Sequence, residues 1–189
     1  MPKAGLTAQT VIEAAAEMLD ERPGGELSIG ALAERLGVKP PSLYKHVEGT
    51  VGLRRGIMLR AKADLAAAFG KAGIGKAREE AVHSIALVYR RWAKEHPGQY
   101  PLTMRAPSPG DKDDEEVSAA LVNVLYTALS GYRLDGDDLI DAVRFLRSSL
   151  HGFVDLETTS AFQLPRDLDR SYARLINSIT RSLNTWAGS

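Results

Sequence analysis

The sequence predicts an all-α protein, with a small three-helix unit at its N-terminus joined by a long helix to a larger helical bundle. Three observations lead there. Apolar residues recur at three- and four-residue spacing through nearly the whole chain, the period of one buried helix face. No stretch alternates apolar and polar residues as a half-buried strand does. At 189 residues and 44% apolar content, the chain can bury a core in one or two domains.

The elements follow in order. A first helix is expected from about Thr7, a good N-cap, to Arg22, with Val11, Ile12, Ala15, Met18 and Leu19 on one face. Pro23, Gly24 and Gly25 stop it. Ser28 caps a second helix that buries Ile29, Leu32, Ala33 and Leu36, and Gly37 ends it with positive φ. A third, short helix opens on Pro40 and Pro41, since proline suits a first turn, and carries Leu43, Tyr44 and Val47. A long fourth helix is expected over Val51 to Ala68, roughly 27 Å, with Leu53, Ile57, Ala61 and Leu65 inward. Gly70, Gly73 and Gly75 mark a flexible junction after it.

Further helices are expected at Lys76 to Glu95, Asp114 to Tyr132, Asp137 to Glu157 and Asp167 to Trp186, with a short turn near Gln99 to Arg105. The Asp137 to Glu157 helix is read as burying Ile140, Val143, Leu146, Leu150, Phe153 and Val154. The last helix has the most regular apolar stripe. The acidic run Asp111 to Glu116 reads as a solvated loop. Domains are drawn at residues 1–60 and 61–189.

Composition narrows the class. With no cysteine, disulfides and thiolate metal sites are excluded, which fits a reducing cytoplasm. Met1 to Leu6 do not resemble a signal peptide, and no apolar run approaches the length of about 20 residues that spans a bilayer. No membrane partner is expected. There are 24 basic and 24 acidic residues. Residues 1–60 hold 3 Lys and 5 Arg against 7 acids, or 8 − 7 = +1. Any nucleic-acid binding must therefore rest on where a few cations lie, not on bulk charge.

Two helices crossing tightly at a glycine turn, with a third behind, have the layout of a helix-turn-helix. Gly37 supplies the turn, Val38 plugs it, and the third helix projects Lys39, Ser42, Tyr44, Lys45 and His46 away from the core. Such a helix fits the major groove, with early side chains at base edges and later ones at phosphates.

On these residues the stretch from Leu6 to Ile57 resembles the N-terminal domain of tetracycline-repressor (TetR) family regulators. The matching positions are Ser28, Ile29, Leu32, Ala33, Leu36, Gly37, Val38, Leu43, Tyr44, His46 and Val47. The resemblance implies phosphate contacts at Tyr44 and His46 and base reading from Lys39, Pro40, Pro41 and Ser42. Ser28, Lys45 and Thr50 complete the candidate DNA-binding set. Thr50 stands where the family usually has a phosphate-binding lysine, and Pro40-Pro41 replaces smaller residues. A second segment, Leu150 to Glu157, resembles a subgroup whose C-terminal domain carries a Trp-His-Gly pattern, with Arg147 where the tryptophan would be.

The resemblance implies an all-α chain whose C-terminal bundle binds a ligand and dimerises. The expected partners are double-stranded operator DNA, a second copy of the chain, and an apolar or amphipathic small-molecule effector. Tyr89, Trp92, Tyr100, Met104, Tyr126, Phe145, His151 and Phe153 are the candidate pocket residues. Leu150, Val154, Tyr172, Leu175, Ile176, Ile179 and Leu183 are the candidate dimer contacts. No cofactor is expected. A lone His151 without a second ligand is not a metal site. An enzyme is disfavoured because no nucleophile–base pair, phosphate loop or metal cluster appears. A helical adaptor that has lost DNA binding is the remaining alternative, supported by Thr50 and the neutral charge.

Overall fold

In a computed structural model the described residues are 5–186, and every regular element among them is helical. Most of the Met1 to Leu6 leader reading therefore lies outside the described residues. Helix α1 spans Ala8–Glu21. Thr7 and Thr10 cap it reciprocally: the Thr7 hydroxyl accepts from the Thr10 amide at 3.1 Å, and the Thr10 hydroxyl accepts from the Thr7 amide at 3.0 Å. Helix α2 is Ile29–Leu36, with Ser28 accepting from the Ala31 amide. Gly37 adopts φ 66°, the left-handed region in which a side chain is strained, and its amide returns to the Glu34 carbonyl.

Helix α3 is Pro40–Leu43 and is shorter than the sequence suggests. Tyr44, Lys45 and His46 follow it in a hydrogen-bonded turn, with the His46 and Val47 amides bonded to the Leu43 carbonyl. Val11, Ala15, Leu32, Leu43, Leu53 and Ile57 close the core of this N-terminal unit.

Helix α4 is a single rod, Gly49–Gly73, roughly 37 Å long. It overruns the expected end at Ala68 and carries Gly70 inside it. The cost of a helical glycine, about 1 kcal/mol, is offset by the burial of Leu65, Ala66 and Phe69 in the bundle. Gly75, at φ 70°, follows the helix end. One rod serves two cores: Leu53, Ile57 and Met58 belong to the N-terminal core, and Ala61, Leu65, Ala66 and Phe69 to the second. Gly56 lets α1 come close, since a Cβ there would meet Ile12 Cδ1 at 2.5 Å.

The bundle adds α5 (Arg78–Glu95), α6 (Tyr100–Thr103), α7 (Lys112–Leu129) with a 3-10 turn at Ser130–Tyr132, α8 (Gly136–Thr158) and α9 (Leu168–Trp186). Helix α5 lies at its centre and packs on α4, α7, α8 and α9. Arg90 on α5 holds Glu157 of α8 through two bonds of 2.6 and 2.7 Å and Asp169 of α9 at 2.7 Å. The Tyr172 hydroxyl donates to the Ala86 carbonyl at 2.6 Å.

Two sequence readings are corrected. Ile140 is 39% exposed, because the buried stripe of α8 runs through Ala142, Val143, Leu146, Leu150 and Val154. The acidic run is not a solvated loop. Asp111 caps α7, and Asp114 is 1% exposed in the first turn, where a carboxylate also suits the helix dipole.

Candidate DNA-binding surface and the linked bundle cavity

The turn chemistry around Gly37 places one set of residues outward. Ser28, Lys39, Pro40, Pro41, Tyr44, Lys45 and Thr50 are exposed, and Ser42 and His46 are half-buried. Tyr44 is 61% exposed although its neighbour Leu43 is fully buried. An aromatic ring held in water beside a core leucine gains nothing from burial, so packing does not explain it. Ser28 spends its hydroxyl on capping α2.

The cations of this unit divide into two groups. Arg35 is tied to Glu17 and Glu21 on α1 at 3.0 and 2.8 Å. Arg55 forks onto Asp111 at 2.8 and 2.5 Å and reaches Asp113 at 2.8 Å. That pairing draws the Asp111 carboxyl down to about 2. Arg60 lies near Glu13 and Asp64. Arg22 at the end of α1, together with Lys39, Lys45 and Arg54, makes no ion pair with any described residue. Arg54 was not singled out by the sequence reading. It stands one turn from Thr50 on α4, the spacing at which two helical side chains share a face.

A clamp joins this unit to the bundle. The turn His96-Pro97-Gly98-Gln99 between α5 and α6 wraps the carboxylate of Asp20 at the end of α1. Asp20 Oδ1 accepts from the Gly98 and Gln99 amides at 2.9 and 3.1 Å, and Oδ2 accepts from Gln99 Nε2 at 2.6 Å and from His96 Nδ1 at 3.0 Å. A Cβ at Gly98 would collide with the Leu19 carbonyl, so only glycine permits the approach. Leu102 of α6 is buried in the N-terminal core. From the sequence, His96-Pro97-Gly98 serves only to end the helix over Lys76 to Glu95. An aspartate at a helix C-terminus, where the dipole disfavours it, was the available signal.

Inside the bundle, a narrow cavity of about 20 Å³ lies between α4, α5, α7 and α8. Of the eight candidate pocket residues, Tyr89 and Met104 line it. Tyr100 and His151 are reached through a chain of short bonds: Tyr89 and Tyr100 hydroxyls 2.7 Å apart, and Tyr100 hydroxyl to His151 Nδ1 2.6 Å. Burial pushes the Tyr89 hydroxyl up to about 12, against the Tyr100 bond and the nearby charge of Arg147, which pull it down. Trp92 packs on the His96 ring, Phe145 on Trp186, and Phe153 on Phe162 and Tyr172, all away from the cavity. Tyr126 lies half-buried against the core and does not line it. The remaining walls are aliphatic, apart from Phe69 and Arg147, which aromatic spacing could not reveal. Among the described residues no group of three or more His, Asp or Glu could hold a metal ion, and no helix is long and apolar enough to cross a membrane.

Comparison with known proteins decides the family. Residues 82–179 match the model of the tetracyclin repressor-like C-terminal domain. An uncharacterized HTH-type transcriptional regulator of Mycobacterium tuberculosis is 40% identical over 82% of this chain and 72% of its own length. The chain belongs to the TetR family of transcriptional regulators. A second HTH-type regulator, from Bacillus subtilis, is 32% identical over 96% of this chain and 95% of its own. The fold is that of a TetR variant from Acinetobacter baumannii solved in complex with minocycline, with a TM-score of 0.74 at 21% identity, covering 98% of this chain and 100% of that one. TetR-family relatives are regulators, not enzymes.

For a TetR-family bundle, the residues expected at a dimer contact need another reading. Leu150, Val154, Tyr172, Ile176, Ile179 and Leu183 are each 2% exposed or less, buried against their own chain. They stabilise the protomer and have no surface left for a partner. Only Leu175 is half-buried. The regularity of the α9 stripe misled: it is the face α9 turns inward.

Proposed function

We propose that this TetR-family chain is a ligand-responsive repressor that binds a palindromic operator as a homodimer in the cytoplasm. The observation that carries the DNA side is the exposed Tyr44, beside unpaired Lys39 and Lys45 on a turn rigidly attached to a core. In this reading Lys39, Pro40, Pro41 and Ser42 meet base edges, and Tyr44, Lys45 and His46 meet phosphate. Arg54 takes the role that Thr50 leaves vacant, assisted by the positive end of the long α4.

Two recognition elements need a twofold partner to read two half-sites about 34–36 Å apart. The outward faces of α8 and α9 are the proposed contact, with Ser148, Gly152 and Leu156 exposed on α8 and Gly152 meeting nothing within its own chain.

The segment 96–104 supports the ligand response. It touches the cavity through Met104 and the N-terminal unit through Leu102 and the Asp20 clamp. A ligand that enlarges the cavity moves the same segment that positions α1. It alters operator affinity only by as much as its own affinity differs between the two arrangements. Electrophoretic mobility shifts on the DNA flanking the gene test the reading. Retardation at low salt is expected, and its absence for every flanking segment overturns it.

A further inference from the structure

Cations converge where the bundle cavity approaches the surface. A second space of about 220 Å³ is lined by Lys62, Arg105 and Arg147, together with Thr103 and Ser118. Met104, Leu121 and Arg147 line both this space and the apolar cavity. No carboxylate lines either one. The nearest candidate, Asp114, is buried and bonded to Lys62 at 2.5 Å, and Lys62 also donates to Ser118 at 3.0 Å. Arg147, by contrast, is half-buried and makes no hydrogen bond or ion pair with any described residue. A guanidinium offers five donors in a planar fork, and removing it from water without a partner is costly.

Resting on the ligand-responsive reading above, we propose that the bundle takes up an amphipathic carboxylate. Its head group lies on Arg147, with Arg105 at the rim, and its aliphatic tail runs into the apolar cavity beside Leu121. A fork facing a carboxylate makes two parallel charge-assisted bonds, which a hydroxyl cannot do. At about 20 Å³ the cavity holds no more than a water-sized group. The tail therefore displaces Met104, whose unbranched thioether repacks readily. Met104 directly follows α6, so the displacement acts on the element seated in the N-terminal core.

Isothermal titration of the full chain, without DNA, tests this with hexanoate, octanoate and decanoate against 1-octanol and octylamine. At least one carboxylate is expected to bind, and about tenfold or more tighter than the alcohol of matched length, equivalent to about 1.4 kcal/mol. Arg147→Gln is expected to bring octanoate down to the alcohol's level while alcohol binding is unchanged, and Arg147→Lys to keep part of the preference. Alcohol binding to the variant verifies that its cavity is intact, and the wild-type comparison needs no variant. No binding by any carboxylate, equal or tighter binding of alcohol or amine, or an Arg147→Gln protein with undiminished octanoate affinity overturns the proposal. Because no DNA is present, each of these failures leaves operator binding to be judged on its own titration.

Discussion

Tyr132 carries a buried hydroxyl with no hydrogen-bond partner among the described residues, and burial pushes it up to about 12. An unmade bond in a core is a liability whose removal costs nothing. Tyr132→Phe is therefore expected to leave stability unchanged or raise it by up to about 1 kcal/mol in a urea melt. A loss of about 2 kcal/mol would show that the hydroxyl has a partner in solution. Lys45 is the opposite kind of residue: exposed, unpaired and outside the core. Lys45→Ala should leave the melt untouched while weakening binding to all DNA sequences alike. Sequence-selective weakening would instead assign it to base reading.

Among the elements, the clamp and the Arg90 network are the joints. Asp20 receives four bonds from the α5–α6 turn, so Asp20→Ala is expected to speed hydrogen exchange at the Gly98 and Gln99 amides, with little change in the α8 core. Unchanged protection would mean that Gly98 packing alone holds the joint. Glu157 joins α8 to α5, and the Arg90 bond holds its carboxyl below the ordinary glutamate range. A depressed carboxyl stabilises the fold fully above its unfolded value, and that contribution is lost as pH falls through the folded one. Glu157→Gln should therefore cost about 3 kcal/mol at neutral pH, and the difference from wild type should shrink as pH drops below the usual carboxylate range. A deficit that stays constant down to that range and below it would assign the effect to shape and not to charge.

The same scale shows what could be read from sequence. Thr7, Ser28 and Gly37 act on backbone groups within four residues, so local chemistry revealed their caps and the turn. Arg55 with Asp111, Lys62 with Asp114, and Asp20 with Gly98 join residues 56, 52 and 78 positions apart. No local pattern encodes such pairs, which is why the acidic run looked like a loop. The apolar stripe of α9 identified a buried face but not what covers it. The candidate pocket was drawn from aromatic spacing, which reached Tyr89 but not the aliphatic residues and the single arginine that make up most of the cavity wall.

At the scale of the whole molecule, zero net charge and the Arg35, Arg55 and Arg60 pairings leave few cations for DNA. In the proposed dimer, Lys45 and Arg54 from two protomers make four phosphate contacts. Each contact contributes about 0.9 to the dependence of log affinity on log salt, so the slope should be about −4 or shallower. The most direct test is a fluorescence-anisotropy titration of the gene's flanking DNA across a salt series, for the wild type and for a Lys39→Ala, Lys45→Ala, Arg54→Ala protein. Specific binding is predicted for the wild type with that shallow slope, together with a near-complete loss of salt dependence in the triple variant. Absence of binding at low salt, or a variant that binds with the wild-type slope, would contradict the account.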